Sequence, residues 1–130
     1  QLIEKTKTTK TPSLDFKGES IGGWNPAQVG TEWSTIQWTV PANELSKLKG
    51  VRFHYTRGKH RLEIRKVEII ADGEVTATDA HFGFAGAPSS KNFYKLAVPA
   101  GTKGNNECHI RAEVRSDGGN NSYGQVELVK

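Results

Sequence analysis

The segment that decides the fold is VRFHYTRGKHRLEIRKVEIIADG, residues 51–73. Apolar and polar residues alternate along it, as in a β-strand that buries one face. In the first run the apolar face holds Val51, Phe53 and Tyr55, and in the second run it holds Leu62 and Ile64. The polar residues near 57–60 separate the two runs, so the segment predicts an antiparallel hairpin.

The second run changes phase before it ends. Its apolar row continues at Val67, Ile69 and Ala71. The step from Ile64 to Val67 is odd, and an odd step in a strand moves side chains to the other face. We therefore predict a β-bulge near Arg65–Lys66. Asp72-Gly73 predicts a tight turn into another strand.

Period-two alternation continues through most of the chain. The additional predicted strands are 13–17, 31–40, 74–81, 92–98, 107–114 and 122–129. Only residues 41–50 suggest a helix, of about one turn between Pro41 and Gly50. Seven to eight short antiparallel strands joined by turns predict an all-β sandwich of jelly-roll or Greek-key type. We assign residues 13–130 to one such domain and residues 1–12, where Lys and Thr recur without apolar periodicity, to a linker.

Length and composition agree with one globular domain. The chain has 130 residues and a net charge of +4, and it has no apolar run near the ~20 residues that span a bilayer. Membrane insertion is therefore not expected. The chain starts at Gln1 and has no Met, which predicts a processed chain or a piece of a larger protein.

Motifs of catalysis and of tight metal binding are missing from the sequence. It has no G-x-S-x-G elbow, H-E-x-x-H pair or phosphate-binding loop, and its four His lie on separate segments. We predict no enzymatic activity for this segment and no cofactor. Cys108 is the only Cys and falls on the apolar side of its strand, so we expect a core thiol. The turn with Asp117, Asn120 and Asn121 lacks calcium-loop spacing, and either a plain Asn/Gly turn or a structural calcium fits it.

The basic character of the hairpin suggests a nucleic-acid surface. Residues 51–66 carry six Lys or Arg and one Glu, and Arg52, Arg61 and Arg65 lie on the outward side. The strand 107–114 mixes Arg with Glu, however, which indicates cross-strand ion pairing. We therefore expect a solvated strand face and no nucleic-acid partner.

Carbohydrate binding is the better-supported site hypothesis. Successive antiparallel strands alternate direction, so loops near 18–31, 57–60, 82–91 and 116–121 are predicted to share one end of the sandwich. That end collects aromatic rings and planar polar groups, which suit the C–H faces and hydroxyls of a sugar. The candidate ligand-binding residues are Trp24, Asn25, Arg57, His60, Asn120, Asn121 and Tyr123. Trp33 points away from the core and also invites a binding role, whereas Trp38 lines up with core residues.

Residues 50–128 resemble a known family. The matching features are F-x-Y-T-x-G from Phe53, L-x-I from Leu62, the Asp72-Gly73 turn, D-x-H-x-G from Asp79 and S-x-G-x-V from Ser122. They are similar to the C-terminal β-sandwich domains of Bacteroidetes glycoside hydrolases, such as chitobiases and other β-N-acetylhexosaminidases. The resemblance implies a galactose-binding-like jelly roll, accessory to a catalytic domain and secreted, periplasmic or on the bacterial surface. It assigns no ligand residues, because the shared positions are mainly turn and core positions.

Three functions are therefore open. The leading hypothesis is a non-catalytic accessory domain of a glycoside hydrolase that binds carbohydrate, with the glycan and the parent catalytic domain as partners. The first alternative is a structural spacer packed on that catalytic domain. The second is an anion- or nucleic-acid-binding module that uses Arg52, Arg61 and Arg65.

Overall fold

The computed structural model describes residues 19–86, 92–98 and 108–130. The described part of the chain forms nine strands and one 3₁₀ helix. The strands are β1 Glu19–Trp24, β2 Ser34–Val40, β3 Gly50–Gly58, β4 Leu62–Ala71, β5 Glu74–Asp79, β6 Gly83–Ala85, β7 Phe93–Lys95, β8 Cys108–Ser116 and β9 Ser122–Val129. The 3₁₀ helix spans Ala42–Lys47, where one helical turn was predicted.

The strands form two antiparallel sheets, which confirms the predicted all-β sandwich. One sheet has the order β1-β9-β3-β7. The other has the order β2-β8-β4-β5, and β6 pairs with β4 beyond the end of β5. Most neighbours in a sheet are distant in sequence, as in Greek-key sandwiches. The strand β9 lies between β1 and β3, so the ends of these three strands meet at one place.

The core between the sheets centres on an aromatic cluster. Phe53, fully buried on β3, contacts Trp24 and Trp38, each at a ring-centroid distance of 6.0 Å, and Tyr94 at 5.8 Å. Tilted and edge-to-face pairs of this kind contribute roughly 0.5–1.5 kcal/mol each beyond burial. Cys108 is also buried in the core, as predicted. Burial raises the pKa of its thiol above the ordinary value.

The register of β4 and β5 follows the sequence pattern. The pairing of β4 with β8 shifts between Ile64 and Lys66, so Arg65 is the extra residue of the predicted bulge. The turn into β5 has positive φ at Asp72 (52°) and Gly73 (83°), as a two-residue hairpin turn requires. Both features keep the apolar rows of β4 facing the core.

Two strands lie where loops were predicted. β1 falls within 18–31 and β6 within 82–91. The sequence of β1, ESIGGW, contains two Gly, which weaken a strand signal. β1 forms because β9 supplies a pairing edge, a tertiary effect that no local pattern reports. The predicted linker 1–12 and the predicted strand 13–17 lie outside the described residues.

Candidate functional site

Three of the four loops predicted to share one end of the sandwich, those near 18–31, 57–60 and 116–121, meet there. His60 N donates to Asn121 O at 3.0 Å, which ties the β3–β4 turn to the β8–β9 turn. Ser116 N donates to Gly30 O at 2.8 Å, which ties the segment after β1 to the end of β8. The strand β1, which was not predicted, also ends at this end of the sandwich. Residues 87–91 of the fourth predicted loop, 82–91, lie outside the described residues.

Trp24 is a core residue and not the exposed loop ring that the sequence suggested. It is the last residue of β1 and is 3 % exposed. Its Nε1 donates to the buried Oγ of Ser122 at 2.9 Å, and its ring lies over Gly124, which has no side chain to exclude it. The indole face therefore cannot stack on a sugar, and only an edge of the residue borders the surface.

A cleft opens beside Trp24, where the ends of β1 and β3 meet the start of β9. Its volume is about 470 Å³, within the roughly 300–1,000 Å³ typical of small-molecule sites. Its lining consists of Gly23, Trp24, Asn25, Gln28, Thr56, Arg57, Tyr123, Gly124 and Gln125. Three amides, one hydroxyl, one guanidinium and one phenol line it, without any carboxylate among these residues. Such a lining suits a hydroxylated ligand better than an apolar one.

The cleft depends on irregular pairing between β3 and β9. Tyr123 pairs with Arg57 and Gly124 with Tyr55, so Thr56 is an extra residue in β3. β-Bulges of this kind change the direction of nearby side chains and are frequent beside binding sites. Gly23 lets β1 approach β9 closely at this point, because a Cβ atom there would overlap the carbonyl oxygen of Gly124.

Two of the amides are held by local hydrogen bonds. Asn25 Oδ1 accepts from Ala27 N at 2.8 Å, which forms an Asx turn. Asn25 O accepts from Gln28 N at 2.9 Å, which closes a β-turn over the same residues. On the other side of the cleft, Ser20 Oγ donates to Gln125 Oε1 at 2.7 Å. Because the amide oxygens accept these bonds, the amide nitrogens of Asn25 and Gln125 are left to donate to a ligand.

Arg57 and Tyr123 form the most distinctive pair in the cleft. The Arg57 guanidinium carbon lies 3.8 Å from the centroid of the Tyr123 ring. The two residues are also direct partners in the β3–β9 pairing. Arg57 is exposed to solvent, and among the described residues no carboxylate forms an ion pair with it. Stacking on the ring restricts the guanidinium without using its N–H donors.

Every other arginine of the chain is paired with a carboxylate. The pairs are Arg52–Glu127, Arg61–Asp117, Arg65–Glu113, Arg111–Glu68 and Arg115–Glu63, at distances from 2.7 to 3.8 Å. The hydrogen bond from Arg65 lowers the pKa of Glu113 below its ordinary value. The basic hairpin is thus part of a ladder of ion pairs across strands, in accord with the cross-strand pairing that the sequence indicated.

Trp33 belongs to this ladder. The guanidinium carbons of Arg65 and Arg115 lie 4.4 Å and 4.7 Å from its ring centroid. The ring is therefore occupied by two cation–π contacts on the outer face of the five-stranded sheet. The binding role that its outward position invited is not supported by this arrangement.

The seven predicted binding residues divide into three groups. Trp24, Asn25, Arg57 and Tyr123 line the cleft. His60 borders a second hollow of about 280 Å³ with Lys59, Arg61 and Asp117, and its Nδ1 lies 2.7 Å from Asp117 O. Asn120 and Asn121 are exposed and line neither hollow. The predicted site is thus only partly assembled in one place.

The described residues give no support for a metal site. No group of three or more His, Cys, Asp or Glu able to hold a metal ion occurs among them. The Oδ2 atom of Asp117, the acidic residue of the Gly-rich turn, accepts from Arg61 Nε at 2.9 Å. In this part of the chain there is also no helix with the length and apolar character needed to span a membrane.

The D-x-H-x-G segment packs as a scaffold. His81 Nδ1 lies 2.6 Å from Asp79 Oδ1, and its ring stacks on the buried Tyr94 at a centroid distance of 4.1 Å. Tyr94 OH lies within hydrogen-bonding distance of the carbonyl oxygens of Ile64 (3.0 Å) and His81 (2.9 Å). Burial, reinforced by the Asp79 charge, raises the pKa of the Tyr94 phenol well above its ordinary value.

The sequence did not reveal five of the residues that line the cleft. They are Gly23, Gln28, Thr56, Gly124 and Gln125. The alternation of SYGQVELV places Tyr123 and Gln125 on one outward face, a signal that could have added Gln125. Prediction of Thr56 as a cleft residue would have required knowledge of the β3–β9 register, and prediction of Gln28 would have required the conformation of the turn after β1.

Compared with known proteins, the chain matches no family model, and no curated protein is significantly similar to it.

Proposed function

We propose that the chain is a non-catalytic carbohydrate-binding domain and that its ligand occupies the cleft between Asn25, Arg57 and Gln125. The observation that carries the proposal is the lining of the cleft. Planar amides, a hydroxyl and a guanidinium surround an open volume of about 470 Å³. Sugars present many hydroxyls in fixed directions, and groups that both donate and accept hydrogen bonds are the natural partners of those hydroxyls.

The wider role rests on the family resemblance of residues 50–128. We propose that the domain is an accessory module of a chitobiase-like glycoside hydrolase, secreted, periplasmic or on the bacterial surface. In that role it holds the parent enzyme near its polymeric substrate. Binding to the substrate raises the effective concentration of the catalytic domain without any chemistry in this segment.

A glycan array tests the proposal directly. The full chain should retain at least one class of oligosaccharide, and Gln125→Ala should weaken that binding about tenfold because one polar contact to the ligand is lost. Gln37→Ala is the matched control, since Gln37 is an exposed amide on β2 of the other sheet. The absence of retention on every glycan, or equal effects of the two variants, would contradict the proposal.

A further inference from the structure

The cleft contains a charge that the protein does not neutralise. Five of the six arginines face a carboxylate at 2.7 to 3.8 Å, whereas Arg57 has no such partner among the described residues. The residues that line the cleft include no Asp or Glu. An anionic ligand would therefore meet one positive charge and no opposing negative charge at close range.

The geometry of Arg57 is suited to a carboxylate. Tyr123 covers one face of the guanidinium at 3.8 Å. The N–H groups of a guanidinium lie in its plane, so a stacked ring leaves the fork of donors open at the edge. A carboxylate accepts two parallel hydrogen bonds from this fork, and such charge-assisted pairs are stronger than bonds to a neutral hydroxyl.

From these observations we infer that the cleft binds an acidic glycan, with the carboxylate of a uronic acid residue on Arg57 and its hydroxyls on the amides of Asn25 and Gln125. The inference rests on the proposed carbohydrate-binding function and narrows it to one chemical class. The stack on Tyr123 orders the guanidinium before binding, so less conformational entropy is lost when the ligand arrives. The contact is also electrostatic, so affinity should fall as ionic strength rises.

The experiment compares matched ligands by titration calorimetry with the full chain. The probes are trimers of galacturonic, glucuronic and mannuronic acid, their fully methyl-esterified forms, and a sulfated galactose trimer. At least one free acid should bind about tenfold more tightly than its ester, which keeps the hydroxyls but has no charge. The sulfated trimer should bind more weakly than that acid, because a sulfate ester spreads its charge over three oxygens and is a weaker hydrogen-bond acceptor than a carboxylate.

Two substitutions locate the effect. Arg57→Gln should abolish the preference for the acid over the ester. Arg52→Gln should leave it unchanged, because it removes the same charge from the same strand while Arg52 pairs with Glu127 and stacks on Phe93 outside the cleft. A third variant, Arg57→Lys, keeps the charge without the fork and should retain only part of the preference.

The failures of the two proposals are distinguishable. Binding of an acid and its ester with equal affinity, unaffected by Arg57→Gln, would overturn the inference and leave a neutral carbohydrate site in place. Tighter binding of the sulfated trimer than of every uronate would overturn the assignment to a carboxylate. Absence of binding by these probes together with silence across a broad glycan array would overturn the carbohydrate function and the inference with it.

Discussion

Arg57 and Tyr123 face each other across the β3–β9 pairing, and the guanidinium of the first lies 3.8 Å from the ring centroid of the second. The register of β3 and β9 therefore positions Arg57 in the proposed site. Among the described residues, Arg57 is the only arginine without a carboxylate partner. An exposed cation–π contact of this kind contributes only about 0.5–1 kcal/mol to stability. Its larger effect is to restrict the conformations that the Arg57 side chain can adopt.

Removal of the Tyr123 ring should therefore weaken binding more than it weakens the fold. We expect Tyr123→Ala to lower glycan affinity about fivefold to tenfold, because Arg57 becomes free to move. Tyr123→Phe retains the ring and should bind almost as well as the unmodified chain. Calorimetric titration of both variants checks this, and an unchanged affinity of Tyr123→Ala would show that the stack plays no part in recognition.

Gly124 should be intolerant of any side chain. A Cβ atom at this position would overlap the Trp24 ring, and overpacking of a core costs roughly 1–3 kcal/mol. We expect Gly124→Ala to lower the free energy of unfolding by that amount in urea denaturation. Gly30→Ala is the control, because a Cβ atom added there would meet no other atom within 4 Å. Similar losses in the two variants would contradict the packing of Trp24 against β9.

The β4–β5 turn offers a test of backbone conformation alone. Gly73 has φ of 83° and no neighbour within 4 Å of an added Cβ, so a substitution there introduces strain without a clash. Gly73→Ala should cost roughly 1–2 kcal/mol in unfolding free energy. Gly73→Asn should cost less, because Asn tolerates the left-handed region. Equal costs for Ala and Asn would contradict the assigned turn.

Alkaline pH should destabilise the fold through Tyr94. Its folded pKa is raised above the ordinary value of 10.0 by burial. Above pH 10 the unfolded phenol releases its proton while the folded one retains it, so rising pH favours the unfolded state by up to about 1.4 kcal/mol per pH unit. Below pH 10 this contribution to stability is fully present.

Tyr94→Phe should remove that dependence. The variant should be less stable at neutral pH, since the carbonyl groups of Ile64 and His81 lose a donor, but its stability should fall less steeply between about pH 9.5 and pH 11. Tyr123→Phe is the control and should keep the slope of the unmodified chain. Identical slopes for all three proteins in urea denaturation would contradict the proposed linkage.

The sequence predicted those features of the fold that depend on local pattern. Alternation identified β2, β3, β4, β5, β7, β8 and β9, and one odd step between Ile64 and Val67 was enough to predict the bulge at Arg65. The strands it missed are the Gly-containing β1 and the three-residue β6, whose formation depends on pairing with β9 and β4.

The candidate site was predictable only in part for the same reason. Asn25, Arg57 and Tyr123 have functional groups that are evident from the sequence. The alternating direction of successive strands predicted that these residues lie at one end of the sandwich. The burial of Trp24 depends on the absence of a side chain at Gly124 across the sheet, which no local rule contains. Thr56 reaches the cleft through a bulge that is visible only in the β3–β9 register. His60, close to Arg57 in sequence, faces the second hollow because its ring nitrogen contacts Asp117 O.

Carbohydrate binding in the cleft is tested most directly by amide chemical-shift mapping with the oligosaccharide that a glycan array retains most strongly. We expect saturable shifts confined to the cleft, at Gly23, Asn25, Arg57, Tyr123 and Gln125. In Gln125→Ala the shifts should be smaller at the same glycan concentration, because the variant binds more weakly. Shifts centred instead on Trp33 and the outer face of the five-stranded sheet, or no shifts with any glycan, would contradict a carbohydrate site in the cleft.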